Sequence, residues 1–444
     1  MREASAVSEP ARRPPLPFPA KPPPGPFRRD FWRSPLRGPW LASFLSSALL
    51  PLIVICAITG FISHAAYDPD LGQNAIVGPG GIGFDLYGFN WPTNPAWLYA
   101  FTQGLHVVAG VAAIPILLAK LWAVIPQFFE WPPVRSVAHM VDRLGLALLV
   151  GGSVFVFLTG VQNIGLWYPW PFNFVPAHYY AAFVFLGALA LHVATKLPTV
   201  RRSFRERGVI APLREDLQHT RPEPPSTEPP GEHSSAPTSP AAPTISRRGL
   251  LATVGAGSAA VGIIAAGQAI GGPFRSLAVL APHGPGQGTG PNDFQINKTA
   301  ASVGIGPADV GPSWQLTVRG ASEMALSRED LLRLAQSTQS LPIACVEGWS
   351  TTQDWTGVPL AELARLVGAE GSDSLFVESL QQSGAFNQTT LNAGQIADPR
   401  SLLALKVNGA DLSLDHGFPA RLIVPALPGV HNTKWVDTMS FRTA

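Results

Sequence analysis

The sequence predicts a multidomain chain: an all-α transmembrane four-helix bundle, a further single span, and then a mixed α+β domain. Three observations carry that reading. Only 14% of the 444 residues are charged and 46% are hydrophobic, whereas soluble globular proteins carry about a quarter charged residues. Long apolar runs recur between residues 39 and 270. Beyond residue 291, short stretches of period-two alternation mix with short helical patterns, as in a globular domain of both kinds of element. The formal net charge of +2 is uninformative as a total. Two cysteines, Cys56 inside an apolar run and Cys345 far along the chain, give no disulfide framework.

Residues 1–37, rich in Pro and Arg, read as a disordered basic cytoplasmic arm. Residues 38–207 hold four spans, at about 39–63, 96–124, 137–161 and 177–197. At about 1.5 Å per residue, each is long enough for a bilayer core of roughly 30 Å. The connections at 65–95 and 162–176 lack Lys and Arg, while Lys120, Arg135, Arg201, Arg202, Arg205 and Arg207 flank the other ends. By the positive-inside rule, the N-terminus and the segments after spans two and four are cytoplasmic.

Residues 208–245 are Pro, Ser, Glu and Thr rich and read as a flexible linker. Ser246-Arg247-Arg248-Gly249 then opens a fifth span, 246–272. Twin arginines before a Gly- and Ala-rich apolar run resemble a twin-arginine export signal, with an ordinary basic flank as the alternative. Either way, the chain beyond this span lies outside the cytoplasm, and the expected location is a bacterial cell membrane. Residues 273–291 form a Gly/Pro tether. In 292–444 the strand candidates are 314–319, 375–380, 404–407 and 422–424, and the helix candidates are 327–336, capped by Ser327, and 361–367.

Five of the ten histidines fall in or at the edge of the spans: His64, His106, His139, His178 and His192. Polar groups there are functional candidates by default, with hydrogen bonding between helices as the bland alternative. His178 and His192 share one predicted helix; the interval returns to within about 40° of one face and rises about 21 Å. By depth, His64 should lie level with His178, and His106 nearer His192, with His139 a competing inner ligand. This arrangement resembles the cytochrome b subunits of membrane dehydrogenases and reductases, which implies two b haems held by imidazole pairs.

Cys345 sits in Pro342-Ile-Ala-Cys-Val-Glu-Gly-Trp-Ser-Thr-Thr-Gln-Asp-Trp-Thr-Gly-Val-Pro-Leu360, read as a loop rich in Gly, Ser and Thr. A lone cysteine there is a reactive thiol, a metal ligand or a buried small hydrophobe. A second block runs His416-Gly-Phe-Pro-Ala-Arg421-Leu-Ile-Val-Pro, then Gly429-Val-His-Asn-Thr-Lys434-Trp-Val. Together these resemble the sulfite-oxidase-fold molybdopterin enzymes, most of all the bacterial periplasmic methionine-sulfoxide reductases. The resemblance covers roughly Asn292 to the C-terminus. It implies that Cys345 ligates molybdenum and that His416, Arg421 and Lys434 grip the pterin phosphate, a task suited to a guanidinium fork and a lysine point charge. It also implies pterin contact by Asn292, in Asn292-Asp293-Phe294 where the family has Asn-x-Phe, with Gln295 and Ile296 standing where aromatic and acidic residues are expected next, and a site position for Ser379, where the reductase has threonine.

The function expected is a membrane oxidoreductase that passes electrons between a quinone or other membrane donor, b haems and a molybdopterin centre, reducing a sulfoxide or N-oxide. Sulfite oxidases of this fold carry paired arginines just after the metal cysteine; here those positions read Gly348-Trp349-Ser350. A sulfite-oxidase-like enzyme running in the oxidative direction, or a non-catalytic membrane electron carrier, is the alternative. No basic patch interleaved with aromatics points to nucleic acid.

Overall fold

The computed structural model describes residues 19, 21–67, 87, 89–223, 236–283, 288–384 and 386–443. Parts of the expected arm (1–18 and 20), first connection (68–86 and 88), linker (224–235) and tether (284–287) lie outside the described residues.

Five long helices occupy the predicted spans: α1 (Pro39–Ala65), α2 (Leu98–Val124), α3 (Val137–Ile164), α4 (Phe174–Arg207) and α5 (Arg247–Ile270). All five are long and apolar enough to cross a membrane. α1 contains no Asp, Glu, Lys or Arg, so apolar side chains such as Val54, Ile55, Ile58 and Ile62 would meet the lipid while the helix bonds its own backbone. α4 overruns its predicted span at both ends and finishes on Arg205 and Arg207, basic side chains that favour the negative end of the helix dipole.

The chain divides into two compact units. The first comprises Met1–Ala48, Ile116–Ser153 and Phe183–Gly255. Within it the expectation of a disordered arm is corrected for residues 21–37. Arg29–Phe31 form a 3-10 turn, and Arg37 is buried with its guanidinium over the rings of Trp32 and Trp122 at 5.1 and 4.4 Å. The linker is likewise not a free tether throughout. Both carboxylate oxygens of Glu223 accept the Trp40 N–H, at 3.1 and 3.0 Å, at the start of α1. Arg247 is fully buried and donates to Glu215 at 2.7 Å and to the carbonyls of Pro35 and Arg221 at 3.2 and 2.6 Å. Scattered acidic residues in a polar stretch thus find buried cationic and N–H partners that composition does not reveal.

The second unit comprises Leu49–Pro115, Val154–Ala182 and Ala256–Ala444. Its α+β part contains β1 (Gln315–Arg319), β2 (Glu323–Ser327), α6 (Arg328–Arg333), β3 (Ser337–Ala344), β4 (Ser350–Pro359), α7 (Leu360–Leu366), β5 (Ser374–Ser379), β6 (Gln388–Asn392), α8 (Ala393–Ala397), β7 (Leu402–Val407), β8 (Ala410–Asp411), β9 (Arg421–Ile423) and β10 (Val436–Arg442). One sheet runs β2-β1-β10-β5-β6, and only its β1–β10 pair is parallel. The other runs β3-β4-β7-β8, with β9 on β7. Ser327 caps α6 as expected, in a reciprocal box with Asp330.

The stretch around Cys345 corrects the sequence reading. It is no open loop but an antiparallel hairpin, β3 and β4 pairing from Ser337 with Gly357 to Ala344 with Ser350. Its Thr, Trp and Val residues belong to a pleated, half-buried strand, and only residues 345–349 form the turn.

Candidate active site

Ala344 and Ser350 close the hairpin, and the turn between them is tied across itself. The Cys345 N–H donates to the Trp349 carbonyl and the Gly348 N–H to the Cys345 carbonyl, both at 3.0 Å. Gly348 has φ +89°, a conformation that an L side chain adopts only under strain. Cys345 is 2% exposed. Its thiol donates to Glu347 Oε1 at 3.4 Å, while Glu347 Oε2 accepts from Trp349 Nε1 at 2.9 Å and lies 3.0 Å from His283 Nε2. Burial, and then the Glu347 charge, push the Cys345 thiol well above its ordinary range. As a free thiol it stays protonated; a bound soft metal would displace that proton.

The second motif folds back onto this turn. Ala344 bridges Pro428, and its carbonyl accepts from the Gly429 N–H at 2.7 Å. The five residues expected to hold the pterin fall into two hydrogen-bonded groups, Asn292 with His416 and Arg421, and Lys434 with Ser379. Asn292 accepts from the Ser413 N–H at 2.8 Å and donates to the Asp411 carbonyl at 2.9 Å, and its own carbonyl lies 2.9 Å from His416 Nε2. His416 stacks on Phe294 with ring centres 3.7 Å apart. Arg421 donates to the carbonyls of His416 and Asn432, both at 3.2 Å. Lys434 Nζ donates to the carbonyls of Lys298 and Asp415 at 2.7 and 2.8 Å, and its own carbonyl accepts from the Ser379 hydroxyl at 2.7 Å.

Arg421 and Lys434 are buried, and among the described residues neither forms an ion pair with a carboxylate. Burial lowers the Arg421 pKa to about 9 and pushes Lys434 well below its usual range, with Arg421 adding to the second shift. Burial, and then Arg421, hold His416 down at about 3. Two buried cations whose hydrogen bonds reach only neutral carbonyls are short of a counter-charge. A phosphate is a group these residues fit, and the buried thiol fits a soft metal.

The histidines of the long helices are arranged differently from the depth estimate. His106 faces His178, ring centres 6.2 Å apart and planes at 83°. This corrects the expectation that His106 lies nearer His192. His106 Nδ1 is 2.7 Å from the Cys56 carbonyl, which can only accept, so Nδ1 carries the proton. His178 Nδ1 is 3.0 Å from the Thr159 hydroxyl, whose own hydrogen goes to the Phe155 carbonyl at 2.7 Å. With Nδ1 engaged in this way, Nε2 is the nitrogen each neutral ring would offer to a metal. His64 stacks on Tyr179 at 3.7 Å, beside His178, and among the described residues its buried Nε2 has no hydrogen-bond partner. His192 lies within α4. His139 accepts from the Arg135 N–H at 3.2 Å at the start of α3.

Sequence reasoning missed the polar residues that α2, α3 and α5 present to the cysteine turn. Gln103 and Asn163 both donate to the Val346 carbonyl, at 2.8 and 3.2 Å. Gln268 donates to the Glu347 carbonyl at 3.0 Å. The signal in the sequence is an amide side chain within an apolar run, a polar group that is neither ionisable nor a typical metal ligand.

Residues 305–444 match a family profile described as oxidoreductase molybdopterin binding domain. A putative protein-methionine-sulfoxide reductase subunit of Azospira oryzae is 31% identical over 129 residues, 29% of this chain and 48% of the relative. A protein-methionine-sulfoxide reductase catalytic subunit of Xanthomonas axonopodis is 29% identical over 164 residues, 34% of this chain and 51% of its own length. The sulfite oxidase of Arabidopsis thaliana is 30% identical over 100 residues, 19% of this chain and 25% of that enzyme. The chain thus spans about half the length of the first two relatives. Its C-terminal part is an oxidoreductase molybdopterin-binding domain of the kind found in methionine-sulfoxide reductases and sulfite oxidases, in a chain that also carries five helices fit to cross a membrane.

Proposed function

We propose that this chain is a membrane-bound oxidoreductase that takes electrons from a quinol or other membrane donor and reduces a sulfoxide or N-oxide outside the cytoplasm. The observation that carries it is the buried Cys345 turn bridged, through Ala344 and Gly429, to the segment bearing the uncompensated cations Arg421 and Lys434. Cys345 would hold molybdenum, Arg421 and Lys434 the pterin phosphate, and Asn292, Ser379 and His416 the segments that flank it. When bound, the molybdopterin centre supplies two-electron oxygen-atom transfer and haem iron supplies single-electron steps.

His106 and His178 would hold a b haem. Their rings, 6.2 Å apart in the interior of the long helices, would supply the two imidazoles, and the haem would supply single-electron chemistry there. A second haem at His192 is the expectation that a haem count tests.

The reducing direction is supported at Gly348, Trp349 and Ser350. Trp349 and Ser350 are buried, and the Ser350 hydroxyl donates to the Ala269 carbonyl. Positions where sulfite oxidases carry anion-binding arginines serve here to seat the turn. Sulfite oxidation is the second reading, favoured by the similarity to the plant enzyme.

Purified full-length protein should contain molybdenum, pterin and haem, and should reduce methionine sulfoxide or trimethylamine N-oxide with reduced viologen while failing to oxidise sulfite. Sulfite-dependent reduction of the haem would reverse the direction proposed, and a chain without molybdenum would end the reading.

A further inference from the structure

We infer that Gln103, Asn163 and Gln268 are positioning residues that dock the cysteine turn onto α2, α3 and α5, and thereby set the rate at which electrons cross between the haem held by the His106–His178 pair and the molybdenum ligand. The inference rests on the proposed haem at His106 and His178. Three side-chain amides from three helices donate to two consecutive carbonyls of one turn, at 2.8, 3.2 and 3.0 Å. Those carbonyls belong to Val346 and Glu347, the two residues after Cys345. Two further contacts complete the seat. A Cβ built on Gly348 would stand 2.7 Å from Val107 Cγ2, so only glycine lets the turn lie that close to α2. The Ser350 hydroxyl bonds the Ala269 carbonyl in the last turn of α5.

The position of these contacts on α2 gives them a role beyond anchoring. Gln103 and Val107 bracket His106, one turn before it and one residue after. The covalent and hydrogen-bonded route from Cys345 is therefore short: through Val346 to its carbonyl, across to the Gln103 amide, and one helical turn along α2 to His106. Buried amides so placed also satisfy carbonyls that would otherwise be stranded between the helices and the domain. Reduction of a sulfoxide releases its oxygen as water and consumes two electrons and two protons. The electrons, supplied by a quinol-class donor, would cross this seat one at a time.

The test uses the full-length, haem- and molybdenum-loaded protein in detergent. In the double variant Gln103→Leu/Asn163→Leu, reoxidation of pre-reduced haem by methionine sulfoxide should slow by about tenfold or more, the scale expected for an ångström-level misplacement. Haem content, the haem spectrum and turnover driven by reduced viologen, which reaches the metal without the haem, should stay as in the wild type. Amide hydrogen exchange across residues 345–350 should quicken in the same variant. Wild-type haem reoxidation in the double variant overturns the dock while leaving the proposed function standing. A wild-type protein lacking haem overturns the reading beneath it instead. Should the double variant fail to assemble, Gln268→Leu alone must show the same split between haem-driven and viologen-driven rates, and equal slowing of both overturns the inference.

Discussion

His106 and His178 face each other edge to face at 6.2 Å, each with its Nδ1 proton already committed, to the Cys56 carbonyl and to Thr159. His106→Ala and His178→Ala should therefore remove the same haem. Pyridine haemochrome content and reduced-minus-oxidised spectra should show one identical loss in both variants. Thr159→Val, which removes the acceptor for His178, should shift the haem potential and leave the haem bound. Retention of every haem after loss of His178 would show that the pair does not bind iron.

Cys345→Ser should leave a membrane-inserted protein that still binds haem but has lost turnover with every substrate, because a hydroxyl is a far poorer ligand than thiolate for a soft metal site. Arg421→Met keeps most of the buried volume and should instead lower the pterin recovered per chain. Undiminished turnover of the first variant, or undiminished pterin in the second, would contradict the roles assigned.

The burial of Lys434 has a pH signature in protein made without pterin. Its folded-state pKa is lowered by burial and by Arg421, so below the unfolded value near 10.5 the unfolded chain holds a proton that the folded chain resists. Stability of the pterin-free protein should rise as pH goes from neutral toward 10, by at most about 1.4 kcal/mol per pH unit. Lys434→Met should flatten that slope, and bound pterin phosphate should flatten it in the parent. Thermal unfolding of the three forms across that range measures it; a parent slope no steeper than the variant's counts against the assignment.

Arg247 and Arg248 differ in a way that a recognition signal would not require. Arg247 is fully buried against Glu215 and two carbonyls, while Arg248 is exposed. If the pair acts as a twin-arginine export signal, Arg247→Lys and Arg248→Lys should both block export of the C-terminal domain. If Arg247 serves only the folded protein, Arg247→Lys should lower thermal stability, because lysine cannot match a guanidinium's several donors, and Arg248→Lys should change nothing. Protease release of the domain from intact spheroplasts reads out export in each.

The apolar spans and the Cys345 motif were legible because each is local: a run of lipid-compatible residues, and a cysteine in a short pattern. The residues assigned here to the pterin stand out in sequence one by one, but that Asn292 is bonded to His416 beside Arg421, and Ser379 to Lys434, does not, since Asn292 reaches partners more than a hundred positions away. The histidine pairing went astray for a simple reason. α4 begins at Phe174, earlier than its apolar run suggests, so His178 lies a full turn inside the helix and meets His106. Gln103, Asn163 and Gln268 were hidden because an amide in an apolar segment names no partner.

The hairpin that presents Cys345 is paired along its whole length, from Ser337 with Gly357 to Ala344 with Ser350, and β4 is held on its other edge by β7. Side chains alternate faces along a strand, so a single inserted or deleted residue in β3 or β4 would turn every later side chain of that strand to the opposite face. Among descendants of this gene, length changes should accordingly collect in the arm, the linker and the tether. The interval from Ser337 to Pro359 should keep one length while its residues vary, and the spacing around the cysteine would then mark lineage more faithfully than the letters that fill it.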